Sequence, residues 1–183
     1  ELRSPDDRRF AYPFITCTNC GPRFSIVHDI PYDRKNTSMA SFTMCPACSK
    51  EYADPLDRRF HTQPNACPAC GPHMELCDAN GTSLSSDGRE IAVMAAKRLR
   101  AGAIAAIKGV GGYLLACDAE NDGSVLELRR RKGLPFKPFA LMAANLERAG
   151  EFLYIGEAEK SLLLSKERPI ILMKEKNETI SRH

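Results

Sequence analysis

Residues 45–72 read CPACSKEYADPLDRRFHTQPNACPACGP, and this stretch decides the fold of the first part of the chain. It contains two CxxC pairs, Cys45/Cys48 and Cys67/Cys70, separated by 18 residues. Four thiolates presented in two such pairs form the ligand set of a tetrahedral structural Zn²⁺, with Zn–S distances of about 2.3 Å. The spacing therefore predicts one complete zinc site within residues 45–70.

The stretch is also the second copy of an internal repeat with a period of 50 residues. Residues 7–22 read DRRFAYPFITCTNCGP and align with residues 57–72. Cys17 and Cys20 match the second CxxC pair of the later copy, and Gly-Pro follows in both. The counterpart of the first CxxC pair would fall before residue 1, so Cys17 and Cys20 are predicted to form half of a metal site.

The DRRF segment lies between the CxxC pairs of the repeat and has two interpretations. In the first, its charged side chains form ion pairs that hold each loop, while the phenylalanine covers the metal. In the second, Arg58 and Arg59 line a channel for an anionic substrate. The presence of DRRF in both copies favours the structural interpretation.

Other candidate ligands are absent from the shared pattern. His61, His73 and Cys77 align with Ala11, Arg23 and Val27, so we interpret them as surface or packing residues. Cys117, within an apolar segment, is predicted to be a small buried hydrophobe. A redox CxxC would require a helix N-terminus in a βαβ setting, which the sequence around these pairs does not indicate.

The bulk composition excludes some classes of protein. The 183 residues carry a formal charge of +3 and are 43% hydrophobic, which is ordinary for a globular domain. No apolar run approaches the roughly 20 residues that span a bilayer. Eight cysteines, six of them in CxxC pairs, indicate a metal-binding protein of a reducing, cytoplasmic compartment. The first residue is not Met, which is typical of a fragment.

The sequence predicts two small folds joined by a linker. Residues 1–77 contain the zinc-finger repeats, residues 78–88 form a polar linker, and residues 89–183 form an α/β domain with a mixed twisted sheet. Helix signals begin at Asp87 and at Asn121. Strands are predicted at residues 103–109, 110–119, 138–144 and 168–174, with further helical sequence at 147–165.

Cations cluster in the second of these regions. Lys108 precedes a glycine-rich turn at a strand end, four basic residues (129–132) end a helix, and Lys137 follows. Glycines allow close backbone approach and clustered cations suit phosphate, but a helix C-terminus also favours positive charge. These residues alone leave both interpretations open, and the glycine-rich turn lacks the Walker pattern.

Four stretches resemble a known family. Residues 57–72 (DRRFHTQPNACPACGP) are similar to the zinc-finger region of the HypF family of hydrogenase maturation carbamoyltransferases. Residues 105–119 (AAIKGVGGYLLACDA), 128–142 (LRRRKGLPFKPFALM) and 162–173 (LLLSKERPIILM) resemble its next domain, which is of the YrdC/Sua5 type. The resemblance covers nearly the whole chain and implies a C-terminally truncated YrdC-like domain.

The resemblance also implies a reaction. Members of the family cleave carbamoyl phosphate to carbamate and join carbamate to ATP, with Mg²⁺, as carbamoyl-adenylate. The carbamoyl group passes to the C-terminal cysteine of a partner, HypE, and becomes a cyanide ligand of [NiFe]-hydrogenase. The family's acylphosphatase-like and kinase-like domains do not match this chain, so we expect the fragment alone to be inactive and to bind ATP weakly.

The implied nucleotide and carbamate site involves four basic residues. Lys108 and Lys132 match basic positions of the family, and Lys137 and Arg168 lie in matching motifs. The family usually has Lys-x-Arg-Pro after the helix, whereas this chain has Leu134 in place of that arginine. One phosphate contact is therefore expected to be missing unless a neighbour such as Arg131 supplies it.

Two other classes of function compete with this one. CxxC ribbons and YrdC-type domains can bind RNA, although an aromatic content of 7% without Trp offers few stacking platforms. A purely structural spacer between catalytic domains is the other alternative. Salt-dependent binding of single-stranded RNA would favour the first, and binding of carbamoyl-adenylate analogues would favour the enzyme.

Overall fold

The computed structural model describes residues 1–19, 21–109, 111–176 and 180–181. The chain divides into two compact units. The first comprises Glu1–Ala95 with Lys108–Tyr113, and the second comprises Ala96–Ile107 with Leu114–His183. None of the helices in the described part is long and apolar enough to cross a membrane.

The first unit consists largely of loops around short helical turns. Two 3-10 turns, Arg34–Asn36 and Ser38–Ser41, precede helix α1 (Pro46–Ala53). A small apolar core forms where the segment between the repeats meets the second repeat. It consists of Ile26, Met39 and Ala66, with Tyr32 and Phe42 packed against it.

The two repeats adopt the same backbone conformation in their DRRF loops. Ala11 and His61 occupy equivalent positions, and both are left-handed, with φ of 57° and 53°. The amide of Ala11 donates to the carbonyl of Leu2, and the amide of His61 donates to the carbonyl of Tyr52, each at 3.0 Å. The repeat predicted from the sequence is therefore a structural repeat, and its tight turn does not depend on the side chain at this position.

The segment predicted as a linker contains ordered structure. Strand β2 (Ser83–Ser85) pairs antiparallel with strand β1 (Leu76–Cys77). The Asp78 carboxylate accepts from the amides of Asn80 and Thr82 at 2.8 and 2.9 Å, which closes the turn. Residues 76–85 thus form a small hairpin.

Helix α2 (Gly88–Arg100) begins at the predicted cap. The Asp87 carboxylate accepts from the amides of Arg89 and Glu90 at 2.9 and 3.0 Å. The return half of the predicted capping box is absent, because the Glu90 carboxylate accepts instead from the Ser85 hydroxyl at 2.9 Å. Gly102, with φ of 91°, follows the end of the helix, as expected for a glycine stop.

Strands β3 (Ala105–Gly109) and β4 (Gly112–Ala116) form a second two-stranded sheet. Only two residues connect them, so the strands run antiparallel. Their apolar side chains are not buried, because Ile107 on β3 is 52% exposed and Tyr113 on β4 is 69% exposed. The apolar composition identified the strands but not their burial.

Three further helices confirm the helical parts of the prediction. Helix α3 (Asp122–Lys132) is capped by Asn121, and it ends at Gly133 in the left-handed conformation. The predicted helical stretch near residue 150 divides into α4 (Leu146–Phe152) and α5 (Glu157–Leu164). The buried apolar side chains of these helices are Val125, Leu128 and Ala149.

The two later strand predictions were wrong. Residues 138–144 and 168–174 belong to no strand, and nearby Leu153 and Glu175 form an isolated bridge. Met142 is 97% exposed and Leu172 is 92% exposed. An apolar run forms a strand only where a neighbouring segment offers a continuous row of backbone partners, whereas at residues 168–174 the Lys174 carbonyl accepts from the Tyr154 amide at 2.9 Å without forming a ladder. The combination of a cysteine finger with a small-sheet α/β region agrees with the predicted fold class.

Candidate metal centre and basic segment

The structure brings the four cysteines of the second repeat into one cluster. Their sulfur atoms all lie within 4.8 Å of one another. Three sulfur–sulfur distances are 3.7 Å for Cys45–Cys67, 3.7 Å for Cys67–Cys70 and 3.6 Å for Cys70–Cys48. A tetrahedron with Zn–S bonds of about 2.3 Å has edges of about 3.8 Å. The cluster is therefore already shaped for a four-thiolate zinc ion, and these distances are too long for disulfide bonds.

Local backbone structure presents the two pairs differently. Cys45 is the N-cap of α1, with proline at the first helical position, so Cys48 lies one turn later and fully buried. Cys67 and Cys70 lie in a tight turn in which the amides of Cys70 and Gly71 donate to the Cys67 carbonyl at 3.1 and 2.8 Å. The start of α1 therefore supplies the sulfurs of Cys45 and Cys48, and the turn supplies those of Cys67 and Cys70.

One glycine is required by close packing at the second pair. A Cβ built on Gly71 would lie 2.2 Å from the Tyr12 hydroxyl oxygen and 2.6 Å from the Ala66 Cβ. The Tyr12 hydroxyl donates to the Pro72 carbonyl at 3.0 Å. The first repeat thus packs directly onto the CxxC turn of the second.

The thiols differ in how readily they ionise. A hydrogen bond from the Cys48 amide lowers the pKa of Cys45 to about 6, whereas burial raises the pKa of Cys48 to about 12. A bound zinc ion requires all four as thiolates. Cys45 begins a helix, which the sequence did not indicate, but no strand precedes α1 among the described residues, so the βαβ setting of a redox pair is absent there. The closeness of all four sulfurs still favours a metal.

Arginines of the first repeat complete the surroundings of this cluster. Arg8 donates to the Cys48 sulfur through Nη1 at 3.4 Å and Nη2 at 3.3 Å, and Arg9 donates through Nη2 at 3.7 Å. Arg9 is 2% exposed and also donates to the Ala66 carbonyl and to the Asn65 amide oxygen, at 2.8 and 3.0 Å. Its charge is therefore buried with hydrogen-bond partners.

The ion pairs of the DRRF segments run between the repeats. Arg8 and Arg9 each lie 2.6 Å from a carboxylate oxygen of Glu51. The equivalent residues of the second repeat, Arg58 and Arg59, each lie 2.6 Å from Glu1, which aligns with Glu51. In each repeat, the two arginines of DRRF therefore form ion pairs with the glutamate of the other repeat. The structural interpretation of DRRF agrees with these contacts, which mainly join the two repeats, while Arg9 also lies 4.0 Å from Glu1 of its own repeat.

The phenylalanines of DRRF do not cover the metal cluster. Phe10 and Phe60 are 36% and 43% exposed. Phe10 lies against the Arg89 guanidinium at 5.2 Å, and Phe60 packs edge-on against His61 at 4.3 Å. The prediction that these phenylalanines cover the metal was wrong, because both rings are partly exposed and contact other side chains.

Among the described residues, the other cysteines and the histidines lie outside the four-sulfur cluster. Cys17 is exposed, and Cys20 lies outside the described residues, so the predicted half-site stays a prediction. His61, His73 and Cys77 are exposed. Cys117 is partly buried, and burial raises the pKa of its thiol.

The predicted nucleotide-site residues are all exposed. Lys108 lies on β3 with its ammonium 6.0 Å from the centre of the Tyr113 ring. Lys132 ends α3 and Lys137 lies in the loop that follows. Arg168 is left-handed, with φ of 46°, and donates to the Leu163 carbonyl at 2.8 Å. Of these, Lys132 and Lys137 belong to one organised segment.

Sequence reasoning missed the residue that organises this segment. Arg129 donates through Nη1 to the carbonyls of Leu134 and Lys137 at 2.7 and 2.9 Å. Its guanidinium lies 4.4 Å from the centre of the Phe139 ring, and Lys132 approaches the same ring at 5.7 Å. Arg129 stood within a run of four cations, and nothing in that run distinguished it.

Arg131, the neighbour considered as a substitute for an arginine at position 134, lies on the surface of α3. Its Nε lies 2.6 Å from the Glu127 carboxylate, one helical turn earlier on α3. Arg131 is 61% exposed in its side chain, so this pairing is weak and its geometry is that of a helix-surface ion pair. The expectation that one phosphate contact is missing stays a prediction.

Comparisons with known protein families match both regions. A model described as HypF finger matches residues 1–27 and 44–77. A model of the Sua5, YciO and YrdC group, described as telomere recombination, matches residues 97–183.

Individual relatives agree with these matches. The chain is 51% identical to carbamoyltransferase HypF of Rhodobacter capsulatus over 94% of this chain and 23% of that protein. It is 49% identical to carbamoyltransferase HypF2 of Cupriavidus necator over 97% of this chain and 22% of that protein. The chain thus spans somewhat less than a quarter of these relatives.

Solved structures show the same relationship. A full-length HypF in a phosphate- and nucleotide-bound form superposes with a TM-score of 0.85 at 49% identity, covering 99% of this chain and 23% of that one. The HypF of T. kodakarensis superposes with a TM-score of 0.89 at 47% identity, covering 99% of this chain and 24% of that one. The resemblance inferred from the sequence is confirmed, and the chain belongs to the HypF family, in which it corresponds to the finger region and a YrdC-like region.

Proposed function

We propose that the protein containing this chain is a cytoplasmic carbamoyltransferase of hydrogenase maturation. It cleaves carbamoyl phosphate to carbamate and joins carbamate to ATP, with Mg²⁺, forming carbamoyl-adenylate and pyrophosphate. The C-terminal cysteine thiol of a HypE partner then attacks the carbamoyl carbon. This step forms a thiocarbamate and releases AMP, which balances the reaction.

One observation carries this proposal. Relatives named carbamoyltransferase are 46–51% identical to this chain over 94–98% of its length, and the match includes both the finger and the YrdC-like region. Identity at this level over two distinct folds in the same order supports a shared activity more strongly than either fold would alone.

Within the chain, the proposal assigns the nucleotide and carbamate contacts to exposed cations. Lys132 and Lys137 lie on either side of the turn that Arg129 fixes, where ammonium groups can meet phosphate or carbamate oxygens. Lys108 and Arg168 are proposed as further contacts. A zinc ion held by Cys45, Cys48, Cys67 and Cys70 would serve a structural role, because all four coordination positions are filled by protein.

The test uses the full-length protein with carbamoyl phosphate, ATP, Mg²⁺ and a peptide that ends in cysteine. We expect carbamoyl phosphate-dependent release of pyrophosphate and AMP, and a mass increment of one carbamoyl group on the peptide. The matched control is the same peptide ending in serine, which should stay unmodified. Pyrophosphate release without any need for carbamoyl phosphate, or salt-dependent binding of single-stranded RNA without product, would overturn the proposal.

A second test concerns Leu134, which stands where the family usually has arginine. Leu134→Arg is expected to make the free energy of ATP binding more favourable by no more than about 3 kcal/mol, because a hydrogen bond to a charged group contributes about 1.5–3 kcal/mol. Calorimetry of the variant should be compared with Leu126→Arg, which adds the same charge on an exposed position of α3. Equal gains in both variants would show that the effect is only general electrostatic attraction.

A further inference from the structure

The first repeat supplies two positive charges to the metal cluster of the second. Arg8 points both terminal nitrogens at the Cys48 sulfur, at 3.4 and 3.3 Å, and the buried Arg9 points one at 3.7 Å. Cys48 is fully buried, so these N–H groups replace the water that would otherwise solvate its thiolate. The neighbouring Glu51 carboxylate holds both guanidinium groups in place.

Charge counting shows why such groups matter. A Zn²⁺ ion with four thiolates carries a net charge of −2, and burying that charge is unfavourable unless nearby groups offset it. Arg8, Arg9 and Glu51 together add +1 beside one sulfur. Hydrogen bonds to a metal-bound sulfur also lower its tendency to take a proton or leave the metal.

The repeat provides an internal comparison. Arg58 aligns with Arg8 and has the same 2.6 Å contact to a glutamate, but that glutamate is Glu1. Among the described residues, the arginine contacts to the four-sulfur cluster come from Arg8 and Arg9 and not from Arg58. Arg8 and Arg58 thus form equivalent ion pairs, each with a different glutamate, and only Arg8 also contacts a sulfur of the cluster.

We propose that Arg8 and Arg9 are positioning residues of the zinc centre, through which the first repeat controls how firmly the second repeat retains its metal. The contact with Cys48 slows the loss of zinc and sets the electron density on that sulfur. An ion pair between an arginine and Glu51 without the sulfur contact would neither slow zinc loss nor change the electron density on the Cys48 sulfur.

The test measures zinc release from the zinc-loaded chain to an excess of a chromogenic chelator. Arg8→Gln is expected to accelerate release by roughly 10-fold, within the range seen when partners of metal ligands are removed. Arg8→Lys, which keeps the charge and one donor, should restore part of the difference. The matched control, Arg58→Gln, should release zinc at the unaltered rate.

A second readout separates this role from general stabilisation. In cobalt-substituted protein, losing N–H donors to the Cys48 sulfur should move the thiolate-to-cobalt charge-transfer band to longer wavelength. Arg8→Gln should show this shift and Arg58→Gln should not. If Arg8→Gln loses its metal during purification while Arg58→Gln keeps it, the proposal is also supported. Equal release rates and identical cobalt spectra in the two variants would overturn it.

Discussion

The two compact units are organised by different means. The first unit buries polar and charged side chains among its sulfurs, including Arg9, Arg59 and Asn65, and its apolar core is small. The second unit buries little and exposes large apolar residues, such as Phe136 at 93% and Met142 at 97%. The first unit thus holds its loops through a metal site and ion pairs, whereas the second depends on capped helices and a hairpin.

This difference shows where stability is concentrated. A loop-rich unit with few buried apolar residues has little hydrophobic free energy to offset its conformational entropy. Metal coordination and ion pairs between the repeats supply specific constraints in its place. We therefore expect changes at single polar residues of the first unit to have larger effects than changes in the second.

Metal removal is expected to produce the largest effect. Zinc binding at four-thiolate sites is coupled to folding, with apparent free energies of about 10–16 kcal/mol in zinc-finger peptides. Cys45→Ser, or strong chelation, should abolish hydrogen-exchange protection across residues 45–70. Helix α3 contains no ligand of the cluster and should keep its protection.

The control for that substitution is Cys77→Ser, at an exposed cysteine outside the cluster. Its exchange pattern should match that of the unaltered protein. Equal loss of protection in the two variants would mean that the four-sulfur cluster does not organise the first unit.

The next effect in size concerns the ion pairs between the repeats. Arg9→Ala leaves Glu51 partly buried next to Asn65 with fewer partners, and breaking a buried pair in this way costs about 3–5 kcal/mol. Arg58→Ala removes an arginine whose side chain is 60% exposed and should cost less than about 1 kcal/mol. Urea unfolding of the zinc-loaded variants measures both. Similar midpoints would contradict the importance of the buried pair.

How much of this the sequence could predict depends on the kind of pattern. CxxC spacing encodes ligand geometry locally, so the cysteines of the cluster could be named from residues 45–70 alone. The repeat likewise predicted equivalent loops, and Ala11 and His61 share one conformation. A period of 50 residues cannot tell whether Arg9 pairs within its own copy or with Glu51 of the other, because both arrangements satisfy the same sequence symmetry.

The strand predictions show the complementary limit. Apolar runs at 138–144 and 168–174 suggested strands, but strand formation requires hydrogen-bond partners, which depend on distant segments. Arg129 was missed for a similar reason. Its function depends on the carbonyls of a loop five to eight residues away, and a run of four cations does not reveal which one turns inward.

The smallest expected effects on stability come from replacing a glycine by alanine in each unit, at one position where a Cβ would be crowded and at one where it would not. Gly71→Ala forces a Cβ against Tyr12 and Ala66, and such overpacking typically costs about 1–3 kcal/mol. Gly150→Ala adds a Cβ in α4 with no neighbour within 4 Å and should stabilise the helix by up to about 1 kcal/mol. Thermal unfolding, monitored through hydrogen-exchange protection in each unit, measures whether each substitution lowers or raises stability. Stabilisation by Gly71→Ala would contradict the close approach of Tyr12.

The central claim is that one zinc ion is held by four sulfurs in the second repeat, with the first repeat packed against it. X-ray absorption at the zinc edge tests this directly, on protein treated mildly with chelator to remove loosely held metal. The account predicts about one zinc per chain and four sulfur neighbours at about 2.3 Å. A shell containing nitrogen or oxygen ligands, or a second tightly held zinc, would contradict it.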